Sequence, residues 1–128
     1  MATYVTYALA VWEGERPAGD QDARAVFDAL YAQYVGRPRG EPAVPPTPRI
    51  EAYMRALLAR YPQNLTGDSP VDPEASPWTT RLTHEVTGPL MYFPITISHY
   101  VKVSYSAAQL AAEHGLICYD LQWNKLRP

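Results

Sequence analysis

"HGLICYDLQW", residues 114–123, holds the only cysteine of the 128-residue chain between a histidine and an aspartate. Those three residue types would serve a thiol enzyme, but a helix running into a buried strand would scatter them. Strand alternation from residue 116 puts Leu116, Cys118 and Asp120 on one face and Ile117, Tyr119 and Leu121 on the other. Gly115 stands where a left-handed residue would close a helix, which leaves His114 in the last helical turn, favoured there by the helix dipole. A lone thiol among Leu, Ile and Tyr behaves as a small hydrophobe, and apolar burial raises its pKa rather than activating it. His114 therefore ends a helix, Cys118 faces the core and Asp120 begins an exposed strand end. The stretch reads as the junction of the last helix with the last strand.

Working outward, Ser98 is expected to cap that helix, with Val101, Tyr105, Ala108 and Ala112 along one face. Before it, "RLTHEVT" and "LMYFPITIS" read as antiparallel strands joined by a Gly88-Pro89 turn, with Pro94 at an edge or a bulge. Residues 3–12, "TYVTYALAVW", are β-branched and aromatic with Val5, Tyr7, Leu9 and Val11 on one face, a first strand. Asp20 can cap a helix with the stripe Val26, Phe27, Leu30, Tyr31, Tyr34 and Val35. Thr47-Pro48 is an N-cap and N1 pair opening another, with Ile50, Tyr53, Met54, Leu57, Leu58 and Tyr61 as its stripe. Residues 63–79 form a long Pro-rich loop within the domain.

The order β-α-α-β-β-α-β predicts a single α/β (α+β) domain over residues 1–128. A split βαβ pair suggests a ferredoxin-like sandwich of about four mostly antiparallel strands with the helices on one face. Hydrophobic content of 47% with 19% charged residues suits a globular protein. Without a basic leader or a long apolar run, and with one cysteine, the expectation is a cytoplasmic protein with no membrane span and no disulfide. A net charge of −2 with scattered bases argues against nucleic acid as a partner.

No P-loop, GxGxxG, GxSxG or HExxH occurs, so no cofactor is expected. His84, His99 and His114 lack metal-ligand spacing, and no metal is expected either. Glu13 and Glu15, and Asp68 and Asp72, read as surface turn acids rather than a catalytic pair. The remaining signal is aromatic: Trp12 and Trp123 end strands and Trp78 closes the long loop. Exposed Trp and Tyr mark binding surfaces.

The pieces "YALAVWEGERP" (7–17), "PPTPRI" (45–50), "LLARYP" (57–62), "SPW" (76–78) and "HGLICYDLQ" (114–122) resemble a family of small, largely uncharacterised proteins of high-GC bacteria. Members open on a YDLAVWEG-like strand and close on an HGLVCYDPQ-like one, and some resemble immunity proteins that neutralise a toxin by binding it. Ala8 and Leu121 depart from that pattern, whereas Trp12, Glu13, Asp120 and Gln122 keep it. The resemblance implies a non-enzymatic, toxin-immunity protein binding a protein partner. Its face would be Trp12, Glu13, Glu15, Trp78, Tyr119, Asp120, Gln122 and Trp123, with acids meeting basic groups of the partner. The alternative is a small α/β enzyme or small-molecule binder with a pocket lined by Tyr7, Tyr92, Tyr105 and Tyr119 and with His84 or His99 as base. An edge strand around Pro94 could also pair with a second copy in a homodimer.

Overall fold

The structure, a computed structural model, describes residues 6–36, 44–61, 82 and 85–127. Residues 81, 83 and 84 of the expected strand "RLTHEVT", His84 among them, and the 63–79 loop with Trp78 lie outside them. In chain order the elements are β1 (Thr6–Trp12), α1 (Asp20–Tyr34), α2 (Pro48–Arg60), β2 (Val86–Thr87), β3 (Leu90–Thr96), α3 (Tyr100–Glu113), β4 (Ile117–Asp120) and β5 (Lys125–Leu126). The described strands make one antiparallel sheet in the order β2-β3-β1-β4-β5. The class is α+β, as the pattern of elements predicts. A fifth strand appears because the chain turns back after Asp120 and pairs Lys125 with Asp120 and Leu126 with Tyr119. Two residues are too few to show alternation in a sequence.

β1 is the central strand. It runs against β3 from Thr6↔Thr96 to Trp12↔Leu90 and against β4 from Leu9↔Asp120 to Trp12↔Ile117. Pro94 lies opposite Ala8. The Tyr92 N–H points away from β1, to the Glu85 carbonyl at 3.2 Å, so two residues on the Pro94 nitrogen also faces away from β1. Proline is tolerated there because that position needs no donor toward β1.

Helices cover both faces of the sheet, not one. Leu9, Val11, Met91, Phe93, Ile95 and Cys118 pack against α2 and α3. Ala10, Trp12, Leu90, Ile117 and Tyr119 form a separate core under α1, through Ala23 and Phe27. Strand alternation produces two apolar faces in β1 and β4, and each needs a cover. α2 meets its expectation: the Thr47 hydroxyl accepts from the Ile50 N–H at 3.3 Å, and Ile50, Tyr53, Met54 and Leu57 are buried. α1 is capped by Gly19 instead of Asp20. The Asp20 carboxylate instead accepts from the Leu126 N–H at 2.8 Å, and Arg16 donates to the Arg127 carbonyl at 2.9 Å. These two contacts close the outer edge of β5.

α3 is turned relative to its expected stripe. Tyr100, Val103, Ser104, Ala107, Ala108 and Ala111 are buried, while Val101 and Tyr105 are exposed. The alanines let α3 approach α2 and the sheet closely, and the buried Tyr53 hydroxyl donates to the Ala107 carbonyl at 2.9 Å. The helix starts after a single 3-10 turn (Ile97–His99), with His99 and not Ser98 at the cap position. Its end is the Schellman arrangement: Gly115 has φ +69°, its N–H donates to the Ala112 carbonyl at 3.1 Å, and the Leu116 N–H to that of Ala111 at 2.8 Å.

Candidate functional site

Asp120 does not begin an exposed strand end; it is fully buried, at 0% exposure. Its carboxylate accepts from the Tyr100 hydroxyl, the Gln122 N–H at 3.2 Å, the Gln122 carboxamide at 3.1 Å and, at long range, the Trp123 N–H at 3.4 Å. A buried carboxylate surrounded by donors is the organising acceptor of a turn, here residues 121–124.

Gln122 has a second task. β4 ends at Asp120, so Ala8 has no strand residue to pair with on that side. The Gln122 carboxamide takes the vacant place, accepting from the Ala8 N–H at 2.5 Å and donating to the Ala8 carbonyl at 2.8 Å. A side-chain amide presents the same donor and acceptor as a peptide group, and it extends the ladder by one rung. Asn124, with φ +47°, then reverses the chain into β5, and its side chain accepts from the Tyr119 hydroxyl.

The residues expected to form one face are divided by this geometry. Trp12, 1% exposed, and Tyr119 lie in the core under α1 with rings 6.1 Å apart. Trp12 Nε1 has no hydrogen-bond partner among the described residues. Glu13 and Glu15 follow the far end of β1. Glu13 is half-buried, with a carboxylate oxygen 3.9 Å from the Arg49 guanidinium, and Glu15 is exposed. Leu9 sits opposite Asp120, so Glu13 is four residues, about 13 Å, along the sheet from it. Of the stretch 119–123, Gln122 and Trp123 are exposed, and Trp123 supplies the large apolar surface, at 65% exposure. Trp78 lies outside the described residues.

The tyrosines expected to line one pocket are also separated. Tyr7 packs on the α3 side, its ring 4.7 Å from that of Tyr100, whereas Tyr92 and Tyr119 stack with Phe27 under α1 at 5.4 and 6.2 Å. Tyr105 lies on the outer side of α3. His99 is 2.9 Å from the Thr96 hydroxyl, and His114 is held at 2.9 Å from the Leu110 carbonyl. Cys118 is buried and its thiol is pushed up to about 12 by desolvation, with Arg127 opposing. No group of three His, Cys, Asp or Glu side chains among the described residues could hold a metal.

A different surface is brought together. Trp123 at the turn stands edge-on to Tyr7 at 6.4 Å and shares a depression of about 560 Å³ with Tyr105, Lys102 and Arg127. Ser104 and Tyr100, both buried, form part of its floor. A second depression, of about 520 Å³, continues past Tyr105 and Arg127 to Lys125, Gln109 and Leu126. Val101, at 82% exposure and lining the first depression, and Tyr105, at 62% and lining both, form an apolar crest. Sequence reasoning found Trp123 but missed the groove. Its signal is that α3 carries two apolar stripes, only one of which can face the sheet.

No helix among the described residues is long and apolar enough to cross a membrane. Comparison with protein-family models, with curated proteins and with solved structures returned no match.

Proposed function

We propose that the protein is a non-enzymatic binding protein of the immunity type, acting in the cytoplasm to neutralise a cognate toxin by occupying it. The recognition face is the outer side of α3 with the 121–124 turn and β5. The second apolar stripe of α3 carries the reading: Val101 and Tyr105 stay exposed beside Trp123 although the same helix buries a complete stripe elsewhere. Clustered exposed aromatics flanked by Arg are the composition of binding hot spots. The resemblance of the chain's two ends to a bacterial family, some of whose members resemble immunity proteins, supports the toxin half of the reading. We infer a ferredoxin-like arrangement for the underlying fold, with α1 and β5 added. The order β2-β3-β1-β4, in which each long connection steps over one strand, supports it.

The test uses a photo-crosslinking amino acid at position 101, beside the crest, in the tagged full chain expressed in its native host. The captured partner is then expressed with the wild type or with a Tyr105→Ala/Trp123→Ala variant. Relief of growth inhibition by the wild type and not by the variant is expected. Absence of a crosslinked partner, or equal protection by the variant, would refute the reading.

A further inference from the structure

The proposed binding face has a charge pattern that specifies what it binds. Lys102 lines one depression, Lys125 the other, and Arg127 lines both. No carboxylate lines either depression among the described residues, although the chain as a whole carries 13 acids against 11 bases. Lys102 and Lys125 make no ion pair with any described residue. Arg127 donates to the Ser104 hydroxyl at 3.4 Å. The carboxylate beneath the groove, Asp120, is fully buried and already surrounded by donors.

We infer that the groove between α3 and the β4–β5 hairpin takes an acidic peptide segment of the partner, with carboxylates on either side of an apolar or aromatic anchor. The proposal rests on the reading of this face as a binding surface and adds the partner's chemistry. Lys102 and Lys125 line different depressions, so the three cations do not share one site as a single phosphate would need. They are spread over two connected depressions, with the apolar crest of Tyr105 between them. An extended chain matches that spacing, since alternate side chains can reach a cation while the intervening one packs on Tyr105 and Trp123. The sign is the reverse of the acidic face expected from Glu13, Glu15 and Asp120. Unpaired lysines at the rim govern encounter rate and register.

The full-length protein is panned against an unbiased random peptide library, and the best binder is labelled for anisotropy titration. Enrichment of peptides with acidic residues flanking an apolar one is expected. Their affinity should fall with added salt and drop at least about tenfold in Lys102→Glu/Lys125→Glu. Enrichment of basic or neutral peptides, no enrichment, or indifference to the charge reversal overturns the proposal. So does displacement of the peptide by inorganic phosphate or a short single-stranded oligonucleotide at equal concentration. If the crosslinked partner is captured through position 101 and charge reversal leaves its affinity unchanged, the binding face stands and the acidic partner falls. If no partner is captured but acidic peptides bind in the groove, the immunity reading falls alone.

Discussion

Replacing Asp120 by alanine removes the acceptor on which the 121–124 turn is built. The Tyr100 hydroxyl, with its residue only 6% exposed, loses its acceptor inside the protein. An orphaned buried donor costs about 1–3 kcal/mol. The Gln122 N–H and carboxamide lose their 3.2 and 3.1 Å contacts, although the carboxamide keeps the Ala8 carbonyl at 2.8 Å. Hydrogen bonds to a charged group contribute about 1.5–3 kcal/mol, and part of that returns when the turn's N–H groups reach water. The net loss expected for Asp120→Ala is about 3–5 kcal/mol, a large share of a typical total of about 5–15 kcal/mol. Tyr100→Phe leaves the other donors in place and should cost about 1–2 kcal/mol. The two changes should couple by about 1 kcal/mol or more in a double-mutant cycle. Urea unfolding followed by far-ultraviolet circular dichroism measures all of these. A loss below about 1 kcal/mol for Asp120→Ala at unchanged m-value, or strictly additive variants, would refute the assignment of Asp120 as the turn's organiser.

Gln122→Ala removes both hydrogen bonds to Ala8 and should cost about 1–2 kcal/mol, with faster amide exchange at Ala8 as the local readout. Gly88→Ala should cost about 1–3 kcal/mol by thermal unfolding: φ is +53° and a Cβ would lie 2.6 Å from the Tyr34 ring, which must move aside. Cys118 gives a pH dependence whose sign follows from its raised value, about 12 against an ordinary 9.0. Between those values the unfolded thiol has lost its proton and the folded one keeps it, so stability falls as pH rises through about 9 and beyond, by at most about 1.4 kcal/mol per pH unit. Cys118→Ala should remove that thiol's share of the slope between about pH 9 and 10, and iodoacetamide should label the wild-type thiol only as fast as the protein opens.

The sequence was most legible where one local rule decided the outcome. Thr47-Pro48 started a helix, Gly115 ended one, and alternation placed Cys118 on an inner face, each because backbone sterics or period alone fixed the result. It was least legible where two local solutions were equally good. In α3 the stripe Val101–Tyr105–Ala108–Ala112 competed with Tyr100–Val103–Ala107–Ala111, and the side that carries three of the helix's four alanines, Ala108 among them, went inward because it allows close helix packing. The candidate site suffered from the same ambiguity. Asp120 and Gln122 looked like recognition groups because their polar partners, Tyr100 and the Ala8 backbone, lie 20 and 114 residues away. Trp12 and Tyr119 needed the cover of α1, whose place on the second face no period could reveal.

The sealed edge of β5 has a kinetic consequence. Its closing contacts, Leu126 to Asp20 and Arg127 to Arg16, span 106 and 111 residues of chain. The pairing of β1 with β4 spans as much chain, 111 residues from Leu9 to Asp120, whereas β5 meets β4 across a turn of four residues. Closures over long loops must first overcome their entropy, so the local β4–β5 hairpin can form before either strand meets β1 or α1. Until β1 docks, the other edge of β4 is an open template for a strand from another chain. The hydrogen bonds of the Leu126 N–H to Asp20 and of Arg16 to the Arg127 carbonyl then fasten an already formed hairpin to the N-terminal part of the chain.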